Sequence, residues 1–156
     1  MSSVQRVRAF LRAQGLDVAV QELDKSTRTA PLAAAAVGCP VGAIVKSLLF
    51  LADERPVLVL VAGDQRAAPA KIAALMGASH ATIADAETVR RVTGYSIGGV
   101  PPVAHDPPLP VFMDRHLLAQ ATIWAAAGAP NALFPVTPAA LLRLSGARVA
   151  DVTERP

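Results

Sequence analysis

The chain has 156 residues, of which 53% are hydrophobic and 17% charged, with a net charge of +3. That length suits one domain, residues 1–156, with a single sizeable core, and the apolar composition excludes a disordered chain. The basic excess is mild and no block of consecutive Lys or Arg occurs, which argues against a wrapped nucleic-acid footprint and leaves room for a small contact such as one end of an RNA.

The first expected helix covers 4–14, after Ser3, with Val4, Val7 and Leu11 on one face and Gly15 as its stop. Residues 18–23, "VAVQEL", alternate like a strand, and a polar turn follows. Thr29 is the expected N-cap of an alanine helix with Pro31 in its first turn, ending at Gly38. Two apolar, β-rich runs at 43–52 and 56–63 flank "DER" and predict an antiparallel pair. A helix is expected at 68–77, a short strand at 80–84, and a helix capped by Asp85 and ending at Gly94. The segment 94–110 holds three glycines and five prolines and reads as a long shaped loop. Strands are expected at 111–114, 122–128, 132–136 and 148–152, with a last helix capped by Thr137 and ending near Gly146. Interspersed helices and strands with one clear hairpin predict a mixed α/β or α+β domain.

No apolar run reaches the roughly 20 residues that span a bilayer. Residues 1–15 mix arginines into a helical pattern and lack a signal-peptide core, so a soluble cytoplasmic protein is expected. The single cysteine, Cys39, reads as a small buried hydrophobe. His80, His105 and His116 form no ligand spacing, so no metal site is expected, and they read as ordinary surface or satisfied histidines. Asp114, at the end of a strand, reads as an N-cap. Neither a G-x-S-x-G elbow nor a P-loop is present.

Two features could hold a ligand. Lys46 sits inside an apolar strand, on the face of Ile44, Leu48 and Phe50, where an ammonium either snorkels to water or reaches a phosphate, a carboxylate or a ligand carbonyl. In "TGYSIGGVPP", 93–102, Gly98 and Gly99 allow close approach to the backbone, and Pro101 and Pro102 leave carbonyls free. These features describe a pocketed domain without a side-chain nucleophile. A hydrolase built this way needs its substrate, or backbone dipoles, to help activate water.

"IVKSLLF", "TGYSIGGVPP", "LPVFMD", "ATIWAAAG" and "TPAALLRLSGARVADVT", in this order, resemble the YbaK/prolyl-tRNA-editing family of aminoacyl-tRNA deacylases. The resemblance implies a mixed, partly barrel-like β-sheet surrounded by helices. It implies hydrolysis in trans of mischarged tRNA-Pro carrying alanine, serine, threonine or 2-aminobutyrate, with proline rejected. It assigns Lys46, Gly98 and Gly99 to catalysis, and Thr27, Arg28, Val100, Pro101, Pro102, Ala126 and Gly128 to substrate binding. "STRTA" resembles the subgroup that clears small amino acids other than cysteine. Pro101 stands where the family often has serine, and 128–131 lacks the family's basic residue. The implied partners are the aminoacylated 3′ end of tRNA and a prolyl-tRNA synthetase, with no membrane and no cofactor, and the protein acting as a monomer or homodimer. The alternatives are a Cys-tRNA deacylase of the same family, a noncatalytic module that holds a tRNA end or a synthetase, and a small-molecule binder on the same fold.

Overall fold

A computed structural model describes residues 1–24, 27 and 29–156, which form a mixed α+β fold. Local capping sets most helix boundaries. α1 (Ser3–Ala13) starts one residue earlier than expected, because Ser2 Oγ accepts from the Gln5 amide at 3.1 Å and Gln5 Oε1 accepts from the Ser2 amide at 2.8 Å. Thr29, Asp85 and Thr137 cap α2 (Ala30–Val37), α4 (Ala86–Thr93) and α5 (Pro138–Ser145) as expected, each accepting a backbone N–H in the first turn. α3 (Pro69–Leu75) has no side-chain cap and is shorter than the expected 68–77, since Met76 closes it.

The strands are β1 (Gln21–Glu22), β2 (Val45–Ala52), β3 (Arg55–Ala62), β4 (Ala81–Ile83), β5 (Val111–Asp114), β6 (Ile123–Ala126), β7 (Ala132–Val136) and β8 (Arg148–Ala150). β2 and β3 form the expected antiparallel hairpin. Its connection is the two residues Asp53 and Glu54, at φ 46° and 71°, the geometry that matches strand twist in a tight hairpin. Residues 41–43 form a single 3₁₀ turn ahead of β2. β1 is two exposed residues instead of the expected 18–23. It pairs only Gln21 with Leu133 and Glu22 with Ala132, while Val18 and Val20 turn their side chains onto the core.

One sheet has the order β4-β2-β3-β5-β8 and the other β1-β7-β6. β3–β5 and β5–β8 are parallel, and the other pairs are antiparallel. The two sheets touch through an isolated Ile44–Trp124 bridge, and they stay open, so the expected barrel-like curvature does not close. One face of the larger sheet (Leu49, Leu58, Leu60) buries against α1, the smaller sheet and α5. The opposite face (Phe50, Val57, Val59) buries against Ile72 of α3 and Phe112. α2 packs Ala30, Ala33 and Ala34 on Ile44 and Leu133.

The outer edge of β2 is only partly covered. β4 pairs with it at Phe50–Ala52, and the Ala84 amide donates to the Leu49 carbonyl at 2.9 Å. β6 meets the chain at Ile44. Between these contacts lies an unpaired stretch of strand. Because backbone groups alternate sides along a ladder, Ser47 directs its N–H and C=O to the same outer side as Leu49.

Candidate active site

A cleft of 460 Å³ opens over that unpaired edge. Its walls come mainly from four places: Thr27 and residues around the start of α2 (Thr29, Ala30, Pro31, Ala33), Ile44 to Leu48 leading into β2, Ile97, Gly98 and Val100 in the long loop, and Ala126 with Leu133 from the smaller sheet. The structure therefore brings together Lys46, Gly98, Thr27, Val100 and Ala126, which are distant in sequence. Gly99, Pro101, Pro102 and Gly128 do not line the cleft. Arg28 lies outside the described residues, as do Lys25 and Ser26.

Lys46 stands half-buried at the cleft wall, and its Nζ donates to the Gln65 carbonyl at 2.5 Å. Burial pushes its pKa below the ordinary 10.5, Asp114 and Asp64 pull it back, and Arg66 adds to the lowering. Of these, Asp114 is fully buried. Asp114 caps the turn after β5, as expected, by accepting from the His116 amide at 2.9 Å. It also bonds His116 Nδ1 at 2.6 Å and accepts from the Ala62 amide on β3 at 2.9 Å. Its charge is thus satisfied by hydrogen bonds that do not involve Lys46, whose ammonium, bonded to the Gln65 carbonyl, keeps further donors for a ligand.

The loop 94–110 is braced from behind. The Tyr95 hydroxyl donates to the Ala104 carbonyl at 2.8 Å, and the Arg6 guanidinium lies 4.9 Å from the Tyr95 ring centre. His105 Nε2 bonds the Pro101 carbonyl at 2.7 Å, with its ring edge-on to Tyr95. Pro101 was expected to present a free carbonyl; His105 occupies it instead. His105 is mostly buried, not a surface residue, and burial lowers its pKa from 6.5. Its Nδ1 has no partner among the described residues, so the neutral ring carrying the proton on Nε2 is the form that fits.

The glycines divide the work differently from the sequence expectation. Gly98, at φ 84°, faces the cleft. At Gly99 a Cβ would stand 2.8 Å from the backbone of Ala129, so this glycine permits close packing of two loops. At Gly128, φ 99°, a Cβ would stand 2.6 Å from the Ser3 carbonyl, so it seats α1. Thr27 gives both its amide and its hydroxyl proton to the Pro130 carbonyl, each at 2.7 Å, and so fixes the cleft wall to the turn after β6. Cys39 is half-exposed rather than fully buried, and burial still pushes its thiol up.

Ser47 is the site residue that sequence reading passed over. Its Oγ is buried and has no partner among the described residues, and it lines the cleft beside Lys46. A polar pair, Lys-Ser, inside an apolar strand was the available signal. Strand alternation hid it, because Ser47 belongs to the face opposite Lys46 and reaches the cleft only through the gap between β4 and β6. Among the described lining residues there is no Asp, Glu, His or Cys. No group of three or more His, Cys, Asp or Glu gathers among the described residues, and none of the described helices is long and apolar enough to cross a membrane.

The arrangement offers one ammonium, the outward backbone N–H of Ser47 and small hydroxyls around an apolar chamber, which suits binding and polarising a neutral carbonyl next to a phosphate. Comparisons with known proteins identify the family. Residues 24–144 match the family model described as "Aminoacyl-tRNA editing domain". The crystal structure of a proposed trans-editing enzyme for prolyl tRNA synthetase superposes with a TM-score of 0.92 at 47% identity, covering 99% of this chain and 98% of that one. The uncharacterized protein YwhH of Bacillus subtilis is 30% identical over 150 residues, 94% of each chain. Proline–tRNA ligase of Desulfovibrio desulfuricans is 42% identical over 83 residues, 53% of this chain but only 14% of the ligase. The chain belongs to the aminoacyl-tRNA editing domain family.

Proposed function

We propose that this protein is a trans-editing deacylase of the cytoplasm that hydrolyses tRNA-Pro mischarged with a small noncognate amino acid. The make-up of the cleft supports this: a lysine and the backbone of Gly98 and Ser47 surround a chamber walled by Ala30, Ala33, Ile44 and Leu133. Such walls suit a short side chain and offer no charged partner. Alanine, serine, threonine and 2-aminobutyrate all fit this description, and one methylene changes discrimination by only about 1–3 kcal/mol.

In the reaction a water oxygen bonds to the ester carbonyl carbon, the bond from that carbon to the ribose oxygen breaks, and the ribose oxygen takes up a proton. No described side chain in the cleft serves as general base. The adjacent ribose hydroxyl of the terminal adenosine is placed to orient the water and relay its proton. Lys46 holds the phosphate side of the terminal nucleotide. The outward amide of Ser47, with the Gly98 backbone at the cleft wall, meets the carbonyl oxygen as it gathers negative charge.

The test is single-turnover deacylation of tRNA-Pro charged with alanine, serine, threonine, 2-aminobutyrate, cysteine or proline, by wild type and Lys46→Ala. The expected result is lysine-dependent release of one small noncognate amino acid, with prolyl-tRNA spared. Loss of about 100-fold or more is expected for Lys46→Ala, the scale seen when one preorganised charge-stabilising donor is removed. Release of cysteine alone would move the substrate to Cys-tRNA. Binding of charged tRNA without release of any amino acid would make the protein a noncatalytic module.

A further inference from the structure

On the far side of Lys46 lies a second opening, a groove of 320 Å³ lined by Lys46, Leu48, Phe50, Gln65, Arg66 and Ile83 among others. It shares Lys46 and Leu48 with the cleft, so the two spaces adjoin along these side chains. Alternation along β2 puts Lys46, Leu48 and Phe50 on one face. Ile83 is the cross-strand partner of Phe50 and extends that face onto β4. Ile83 is 59% exposed, an unusual position for a large aliphatic side chain directly beside a cationic rim.

The charge here is unspent. Arg66 is exposed and has no carboxylate within salt-bridge distance among the described residues. The neighbouring Lys71, in contrast, is committed to Asp151 at 2.9 Å and to the Thr153 carbonyl at 2.7 Å. Asp64 and the buried Asp114 both act on Lys46, but neither lines the groove; the Asp64 carboxylate accepts from the Gln65 side chain at 3.5 Å. A short apolar shelf with an unpaired guanidinium on its rim and an ammonium at its inner end matches single-stranded RNA, where a base rests on an apolar face and the phosphates meet the cations.

We infer, on the deacylase reading above, that this groove seats the nucleotide preceding the aminoacylated adenosine. Its base lies on Leu48 and Ile83, its 3′ phosphate meets Lys46 at the junction of the two spaces, and Arg66 holds the phosphate one step upstream. The ester and amino acid then occupy the cleft. The groove therefore reads the substrate as an RNA end, while the cleft reads the amino acid.

The experiment compares wild type, Arg66→Gln and Ile83→Asp on two substrates: the aminoacyl-tRNA that wild type hydrolyses best, and the same amino acid esterified to adenosine alone. With the tRNA, both variants should raise KM about tenfold and leave kcat within twofold. With aminoacyl-adenosine they should match wild type, because that substrate does not reach the groove. Binding of a short oligoribonucleotide ending in CCA gives a readout independent of hydrolysis. Arg66→Gln should weaken it and lower the slope of log affinity against log salt by about 0.7, the value of one phosphate contact on a single strand. Circular dichroism checks the folds. Equal losses on both substrates, or unchanged oligonucleotide binding and KM, would overturn the groove assignment. So would an Ile83→Asp effect confined to loss of self-association. If wild type hydrolyses no charged tRNA, the deacylase reading fails, and oligonucleotide binding still decides the groove.

Discussion

Replacing Gly99 with alanine tests how the long loop is held. The added methyl would lie 2.8 Å from the Cα and carbonyl carbon of Ala129 and 3.0 Å from its nitrogen. Comfortable carbon contacts begin near 3.5 Å, so about 0.7 Å must be found. The opposing turn cannot supply it easily. Pro130 accepts two bonds from Thr27, and Leu23 and Asn131 exchange bonds at 2.8 Å and 3.0 Å. Behind it Gly128 is pressed against Ser3. The loop carrying Gly98 must lift instead. Overpacking of this kind costs about 1–3 kcal/mol. A displacement approaching 1 Å at a positioning loop can lower the rate by about 100-fold. Urea unfolding and single-turnover deacylation read the two effects separately. A Gly99→Ala protein with wild-type stability and wild-type rate would refute the packing argument outright.

Ser47→Ala removes a buried hydroxyl that lacks a partner among the described residues, so stability should stay level or rise by about 1 kcal/mol. Deacylation should nevertheless fall about tenfold; a destabilised variant with full activity would place Ser47 in the fold and not in the site. His105 gives a pH dependence of known sign. Burial lowers its folded pKa below 6.5, so between that value and pH 6.5 the unfolded chain binds more protons and stability falls as the pH drops. Each unit of depression corresponds to about 1.4 kcal/mol. Thermal melts from pH 7.5 to 5 should show that loss in wild type and a smaller one in His105→Gln, which can keep a donor to Pro101; identical profiles would remove His105 from the account.

Much of the fold was legible because its signals are local. Thr29, Asp85 and Thr137 announce their helices within three residues, and "DER" between two β-rich runs marks the hairpin, though Arg55 belongs to β3 and the turn is Asp53 and Glu54 alone. Lys46 was legible for a similar reason, as a charge where alternation demands an apolar side chain. What sequence could not show depends on partners far along the chain. Gly99 looks permissive for a ligand, yet the atoms that require it belong to Ala129, 30 residues later. His105 looks unremarkable until Tyr95 and Pro101 close around it. The 18–23 strand kept its alternation but found only two pairing partners on β7, so its valines serve the core instead of a ladder.

The uncovered edge of β2 has a further consequence for the life of the chain before it is fully folded. An open strand edge with free N–H and C=O groups is a template on which another chain can build. In 43–52, "AIVKSLLFLA", Lys46 is the only charge, and without it the segment would be ten uncharged residues of high β-propensity with no proline. β4, three residues long, shields only the far end. Lys46 therefore acts as a gatekeeper during synthesis and refolding, repelling the same lysine on a neighbouring chain. A substitution at this position therefore acts at two stages: on the solubility of the nascent chain, and on the ligand contact proposed for Lys46 in the finished protein.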